Sequence, residues 1–382
     1  MYKDMTVAVV VPAYNEEGFV GEVIDELPSF VDRAYIVDDG STDATWQEIR
    51  DRSEVRNAAH DGRFDELVVP IRHESNRGVG GAIKTGYQRA REEEIDATAV
   101  LGGDDQMNPE VLTRYLDPIA DGVAEYTKGN RFARAEDWAE MPRFRLLGNV
   151  ILSYLTKIAS GYWETMDSQN GYTAISLQAL RDTDIEGMYE YYGYCNDLLV
   201  RLNAADVRIA DVPRSSEYAY TEGWKSHINY TEYIPRVSGM LLRSFLWRLR
   251  RKYLLTSYNP VAPMYLLGIA ALGVSLLGLV KSVVSRDGNS GSWVLSSTTG
   301  ALSLFYATVL DREANGHLET QTAPDGEAAV EQTARRDEVD TDRNGTSDGT
   351  AESLGDRPDA PAETTNEATN GATNGTLPME NK

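Results

Sequence analysis

The 382-residue chain has one cysteine, Cys195. A single thiol forms no internal disulfide, and it excludes a Cys-rich zinc site. Lysine is scarce too: only eight of the 37 basic residues are Lys. Against them stand 60 acids, giving a formal charge of −23. A duplex carrying one negative charge per roughly 1.7 Å would be repelled, so nucleic acid is not expected as a partner. Acid excess with Arg favoured over Lys is the composition of a protein kept soluble in a salt-rich, halophilic cytoplasm, where charge repulsion is screened. Histidine occurs only at positions 60, 73, 227 and 317, in no HExxH or Ser-His-Asp order, and none is given a role.

Other absences are local. Residues 311–382 contain no aromatic and hold 17 acids against 6 bases. Such a stretch buries too little apolar surface to offset its ordering entropy and is expected to be a disordered acidic tail. Residues 233–286 contain no acid but eight bases. Arg243, Arg248, Arg250, Arg251 and Lys252 interleave there with Leu241, Leu242, Phe245, Leu246 and Trp247. This pattern predicts a basic amphipathic helix over 233–258 lying on the membrane, its bases on anionic headgroups and its side cytoplasmic. Residues 261–280 carry no charge, nor do residues 293–310, which are rich in Ser and Thr. Each run is long enough to cross a core of about 30 Å at about 1.5 Å per residue, so 259–310 is read as one or two transmembrane helices. No signal segment precedes the first apolar run, which places the N-terminal domain in the cytoplasm.

What remains, residues 1–232, alternates. Apolar, β-rich runs at 6–11, 34–37, 67–71, 98–101 and 207–212 are separated by helical patterns at 16–27, 44–52, 78–94 and 109–120. Continuous apolar strands alternating with helices define an α/β domain, a doubly wound and mostly parallel sheet. Ligands of such sheets sit beyond the carboxyl ends of the strands, so the residues following each run are the ones to inspect.

After the first run come Pro12, Ala13, Tyr14, Asn15, Glu16 and Glu17. Asn15 can cap the next helix, whereas Pro12 and Tyr14 leave a rigid turn and a flat aromatic at the ligand edge. After the second come Asp38 and Asp39, then Gly40-Ser41-Thr42-Asp43. Adjacent carboxylates have no core role; they suit a base N–H, ribose hydroxyls or a metal. After the fourth come Gly102-Gly103-Asp104-Asp105-Gln106. These hard oxygens fit Mg²⁺ or Mn²⁺ shared with substrate phosphates; helix capping is the other reading. Residues 76–84 form a glycine-rich loop without the GxxxxGK[ST] arrangement.

Together PAYNEE (12–17), VDDGSTD (37–43) and GDDQ (103–106) resemble the family 2 glycosyltransferases of the GT-A fold, particularly the dolichyl-phosphate mannose and glucose synthases and their archaeal relatives. The resemblance covers residues 7 to about 228. It implies that Pro12, Tyr14, Glu16, Val37 and Asp39 hold the base and ribose, and that Asp104, Asp105 and Gln106 hold the metal. Gly102 departs from the family, which usually has an acid there. Lys128-Gly129-Asn130-Arg131-Phe132 resembles a family strand whose arginine grips phosphate, a role for Arg131. Arg143 and Arg145 meet a lipid phosphate or simply face solvent. Asp167 resembles the motif carboxylate before a Gly-aromatic turn, and Asp197 sits where inverting members carry the general base, unless it only caps its helix. Lys225 resembles a late basic residue near the phosphates.

The implied activity is inverting transfer of a hexose from a UDP- or GDP-sugar to dolichyl phosphate at the cytoplasmic membrane face, for protein glycosylation. Extension of a lipid-linked oligosaccharide or polysaccharide is the alternative; it would make Asp197 essential. A non-catalytic sugar-nucleotide-binding scaffold is a third reading, to which Gly102 gives substance.

Overall fold

Strand β1 (Val7–Ala13) explains the architecture. Ala8 and Val10 pack into one buried cluster while Val7, Val9 and Val11 pack into another, so both faces of the strand are covered. That is why its sequence is continuously apolar rather than alternating. In the computed structural model, which describes residues 1–103, 107, 109–132, 143–213, 230–256, 259–285 and 291–322, β1 lies between β2 (Arg33–Asp38) and β4 (Ala97–Val100). The eight-stranded sheet has the order β3-β2-β1-β4-β6-β5-β7-β8, completed by β3 (Val68–Arg72), β5 (Tyr126–Asn130), β6 (Thr173–Ser176), β7 (Ile209–Pro213) and β8 (Glu319–Gln321). Among the described strands only β6 runs antiparallel to its neighbours, β4 and β5.

Helices α1 (Val20–Asp25), α2 (Thr45–Ala58) and α4 (Leu112–Ala120) cover one face. Helices α3 (Val79–Glu92), α6 (Leu177–Asp182) and α7 (Tyr194–Ala204) cover the other. The doubly wound α/β expectation holds, and all five apolar runs are strands. Helix α1 is shorter than its pattern, and Asn15 does not cap it. Asn15 adopts a left-handed conformation, and its Oδ1 instead accepts from Thr42 N at 2.9 Å, tying the β1 and β2 loops together.

Beyond the sheet, α5 (Arg143–Ser160) packs beside α7 and α8 (Tyr230–Arg248). Helix α8 runs into a π-helical segment, Leu249–Thr256, then α9 (Val261–Ser285) and α10 (Gly291–Asn315). Helices α9 and α10 form an antiparallel hairpin, each long and apolar enough to cross a membrane. Small residues bring their backbones together: a methyl on Gly268 would stand 3.1 Å from Gly300 O, and Ser303 Oγ donates to Met264 O.

Two expectations are corrected here. The tail does not begin at residue 311. Asp311 and Asn315 are fully buried at the end of α10, and the chain then returns to the sheet as β8, parallel to β7. The buried polar partners of those residues, distant in sequence, supply the order that composition lacked. Nor do all five clustered bases face lipid. Val237, Leu241, Ser244, Phe245, Arg248, Leu249 and Lys252 recur at helical spacing on the core side. Arg248 and Asp311 are both 0% exposed and pair through both carboxylate oxygens, at 2.8 and 3.1 Å. Lys252 Nζ donates to Asn203 O and Asn315 Oδ1, each at 2.8 Å. Arg243, Arg250 and Arg251 stay outside beside exposed Leu242, Leu246, Leu254 and Leu255.

Asp311→Ala leaves the Arg248 charge buried without its partner and is expected to lower stability by about 3–5 kcal/mol, read as the denaturant midpoint in detergent. The double change Arg248→Met with Asp311→Leu is expected to recover most of that loss.

Candidate active site

Parallel β2, β1, β4, β5 and β7 end on one edge, and antiparallel β6 begins there. At the β2 end, Asp38 accepts from Ser41 N and pairs with Arg72, while buried Asp39 faces the glycine-rich loop. Asp39 Oδ1 accepts from Arg77 N at 2.9 Å and Oδ2 from Gly78 N at 2.7 Å. His73 Nδ1 lies 2.7 Å from Oδ1, and its Nε2 lies 2.9 Å from Thr85 Oγ1. His73 therefore positions Asp39. It follows strand β3 directly, so the strand-end rule would have found it where motif patterns did not. Gly78 has φ +87° and presses against Tyr191 and the carbonyl of Glu190, so a side chain there meets both strain and backbone. Glu190 Oε1 accepts from Arg77 and Lys84, each at 2.8 Å, which fixes the 186–191 segment to the same loop.

At the β5 end, Arg131 grips Asp167 bidentately: Nε to Oδ2 at 2.8 Å and Nη2 to Oδ1 at 2.7 Å. Burial by itself would push the Asp167 carboxyl up. The Arg131 charge and hydrogen bonds, with the Lys128 charge, outweigh burial and hold it at about 2. Behind the pair, buried Lys128 bonds Asp211 Oδ1 at 3.0 Å and the Met166 carbonyl. Asn130 Nδ2 and Met166 N both reach Asp211 Oδ2. Burial raises the Asp211 carboxyl, against the Lys128 charge that lowers it. Arg131 and Asp167, two separate candidates in the sequence, are thus one unit.

Between these clusters stand β1, β4 and β6, so Asp39 and Arg131 end strands four steps apart, about 19 Å across the sheet. A methyl at Gly103 would lie 2.9 Å from Pro12 O, and one at Gly171 would lie 3.4 Å from Tyr194 Oη and 3.6 Å from Met107 Cε. The β1, β4 and β6 loops therefore meet along one edge. Pro12 and Glu16 are half-buried and Tyr14 is exposed there. Val37 is not at the edge: it is fully buried in the core, so its side chain cannot touch a nucleotide. Asp104, Asp105, Gln106 and Lys225 lie outside the described residues, as do the side chains of Arg143 and Arg145. Among the described residues no cluster of three His, Cys, Asp or Glu side chains is arranged around a metal. The hard-oxygen donor set of 104–106 fits a divalent cation.

Asp197 is 1% exposed, and both its oxygens are engaged. Oδ2 accepts from Tyr189 N at 2.9 Å and Arg201 Nε at 2.7 Å; Oδ1 accepts from Ser244 Oγ at 2.6 Å. This geometry joins α7 to α8 and engages three of the carboxylate's four lone pairs. Asp197 itself lines a cavity of about 780 Å³, together with Tyr189, Tyr191, Arg236, Met240, Arg243 and Trp247 among others.

A doubly wound sheet with one reversed strand and acidic loops along a single edge is the GT-A architecture of nucleotide-diphospho-sugar transferases. The profile described as glycosyl transferase family 2 matches residues 8–183. The UDP-N-acetylglucosamine–dolichyl-phosphate N-acetylglucosaminyltransferase of Methanococcus voltae is 31% identical over 234 residues, 59% of this chain and 93% of that one. The chain belongs to glycosyl transferase family 2 and is a glycosyltransferase. The dolichyl-phosphate hexose transferase of Haloferax volcanii is 27% identical over 54% of this chain and 80% of its own. Glucosyl-3-phosphoglycerate synthase of Mycobacterium tuberculosis, solved with Mn²⁺, UDP-glucose and phosphoglyceric acid, is 19% identical over 64% of this chain and 80% of that one, with a TM-score of 0.44.

Because the folded Asp167 value lies below the ordinary 3.8, its contribution, about 2 kcal/mol, is complete above about pH 4 and lost as pH falls toward about 2. Asp167→Asn is expected to flatten the acid-unfolding curve across that window, measured by circular dichroism.

Proposed function

We propose that the protein transfers a hexose from a UDP- or GDP-sugar to dolichyl phosphate at the cytoplasmic membrane face, with inversion, supplying a lipid-linked sugar for protein glycosylation. One observation carries this reading: α8, which borders the cavity that Asp197 lines, is followed by the π-helical segment and then by the apolar hairpin. Its Arg236, Arg243 and Trp247 line the cavity beside the 187–191 segment that packs on the glycine-rich loop. Cations and aromatics suit a phosphate on an isoprenoid chain emerging from a bilayer. The outer face of α5 adds to the lipid-facing surface through exposed Ile151, Tyr154, Leu155 and Ile158, one stripe at helical spacing. The printed activities of the Methanococcus and Haloferax relatives support a dolichyl-phosphate acceptor.

Asp39, braced by His73, holds the base or ribose, with Tyr14 and Glu16 beside it. Arg131, oriented by Asp167, faces the diphosphate, whose charge grows as the anomeric C–O bond breaks. Lys225 assists at the phosphates. Asp104, Asp105 and Gln106 would hold Mg²⁺ or Mn²⁺, which neutralises that charge. The acceptor's phosphate oxygen forms the new bond to the anomeric carbon from the opposite face, and the nucleoside diphosphate leaves. That oxygen is already an anion, so no base is needed. A sugar hydroxyl would instead have to lose a proton, for which Asp197 at the cavity wall is the candidate base.

Membranes carrying the protein, incubated with radiolabelled UDP- and GDP-sugars plus dolichyl phosphate in high salt, are expected to yield an acid-labile monoglycosyl lipid. Asp104→Ala is expected to lower the rate at least about a hundredfold, and a chelator to abolish it. Label appearing only in longer lipid-linked glycans would instead favour the extension reading; turnover unchanged by Asp104→Ala would favour a scaffold.

A further inference from the structure

After the hairpin, β8 packs against the segment that carries Asp167. Three consecutive amides converge on one carboxylate of β8: Trp163 N donates to Glu319 Oε2 at 2.7 Å, and Glu164 N and Thr165 N each donate to Oε1 at 2.9 Å. Successive backbone N–H groups arranged this way form an anion-binding nest, and here the protein's own carboxylate fills it. Glu319 is 5% exposed, so without it three amides lose their acceptor in a buried place.

The flanking residues are held from the same side. Gly161, with φ +79°, packs directly on the Arg248 guanidinium that pairs with Asp311. Met166 N bonds Asp211 Oδ2 at 2.9 Å, and the Asp211 carbonyl in turn accepts from Thr322 N and Oγ1. Asp167 follows at once in a left-handed conformation, φ +50°, strained for a side chain that must turn back onto Arg131. Contacts from Arg248, the post-hairpin chain and β7 thus fix the backbone from Gly161 to Asp167.

We infer that Glu319 is a positioning residue for the Arg131–Asp167 pair: its carboxylate locks the 163–165 amides, and that lock sets the backbone from which Asp167 reaches Arg131. Glu319 thereby couples the chain after the hairpin to the candidate site. Its effect on turnover rests on Arg131 serving the transferase site; its effect on the pair's geometry does not.

Hydrogen exchange on the full chain in detergent separates the two. Glu319→Gln removes the charge and one acceptor oxygen while keeping the size. Amides 163–167, and the Arg131 amide that donates to Asp167 at 3.1 Å, are expected to exchange at least tenfold faster. Faster exchange confined to 163–165, with Arg131 unchanged, overturns the inference. If Glu319→Gln does not fold, Glu319→Asp keeps the charge one methylene short, and the same amides are read by the same criterion. In turnover, Glu319→Gln is expected to lower kcat about tenfold alone but less than twofold on top of Asp167→Asn. Losses that simply multiply mean that Glu319 acts elsewhere.

Discussion

The buried pair of Arg248 and Asp311 is the constraint on which the arrangement of this glycosyltransferase depends. An uncompensated charge in such a place costs several kcal/mol, so each residue fixes the other's helix. Asn203, Asn315, Lys252 and Tyr253 complete the cluster, with Tyr253 Oη donating to Asp311 Oδ1 at 2.6 Å. Three parts of the chain distant in sequence meet there: helix α7 of the sheet domain, the basic helix and its π-helical extension, and the end of the hairpin. Buried ion pairs stabilise little on balance but penalise every other arrangement. Here the pair lies on the inward face of the basic helix, just before the chain re-enters the sheet.

The site itself is built mostly of carboxylates already committed to the protein's own donors. Asp39 closes the glycine-rich loop, Asp167 orients Arg131, Asp211 holds Lys128 and the Met166 amide, and Asp197 ties two helices. Each accepts several bonds, which lets a strongly acidic chain bury charge without leaving it unpaired. Asp167 in turn sets the position of Arg131.

Much of the sheet was legible because its strands are buried on both faces and read as apolar runs; Val7–Ala13 and Arg33–Asp38 need no partner to be recognised. Strand β6 was not, being four residues long and begun by Thr173, and β8 was not, since Glu-Thr-Gln has no strand signature at all. The strand-end rule led to Asp39 and the family resemblance to Arg131 and Asp167, but neither could say that the last two would bind each other. Sequence spacing also placed Arg248 and Lys252 among lipid-facing bases, because their acceptors lie far along the chain at Asn203, Asp311 and Asn315. Long-range polar pairing leaves no local trace, and it is where composition misled.

Strand β8 also imposes a timetable. A ribosome makes β1 to β7 first, then the hairpin, and only afterwards the three residues that cover β7. Until then β7 presents a row of unpaired amides and carbonyls, and the 163–165 amides have no acceptor. The edge of β7 therefore stays open until the chain beyond the apolar helices has been made.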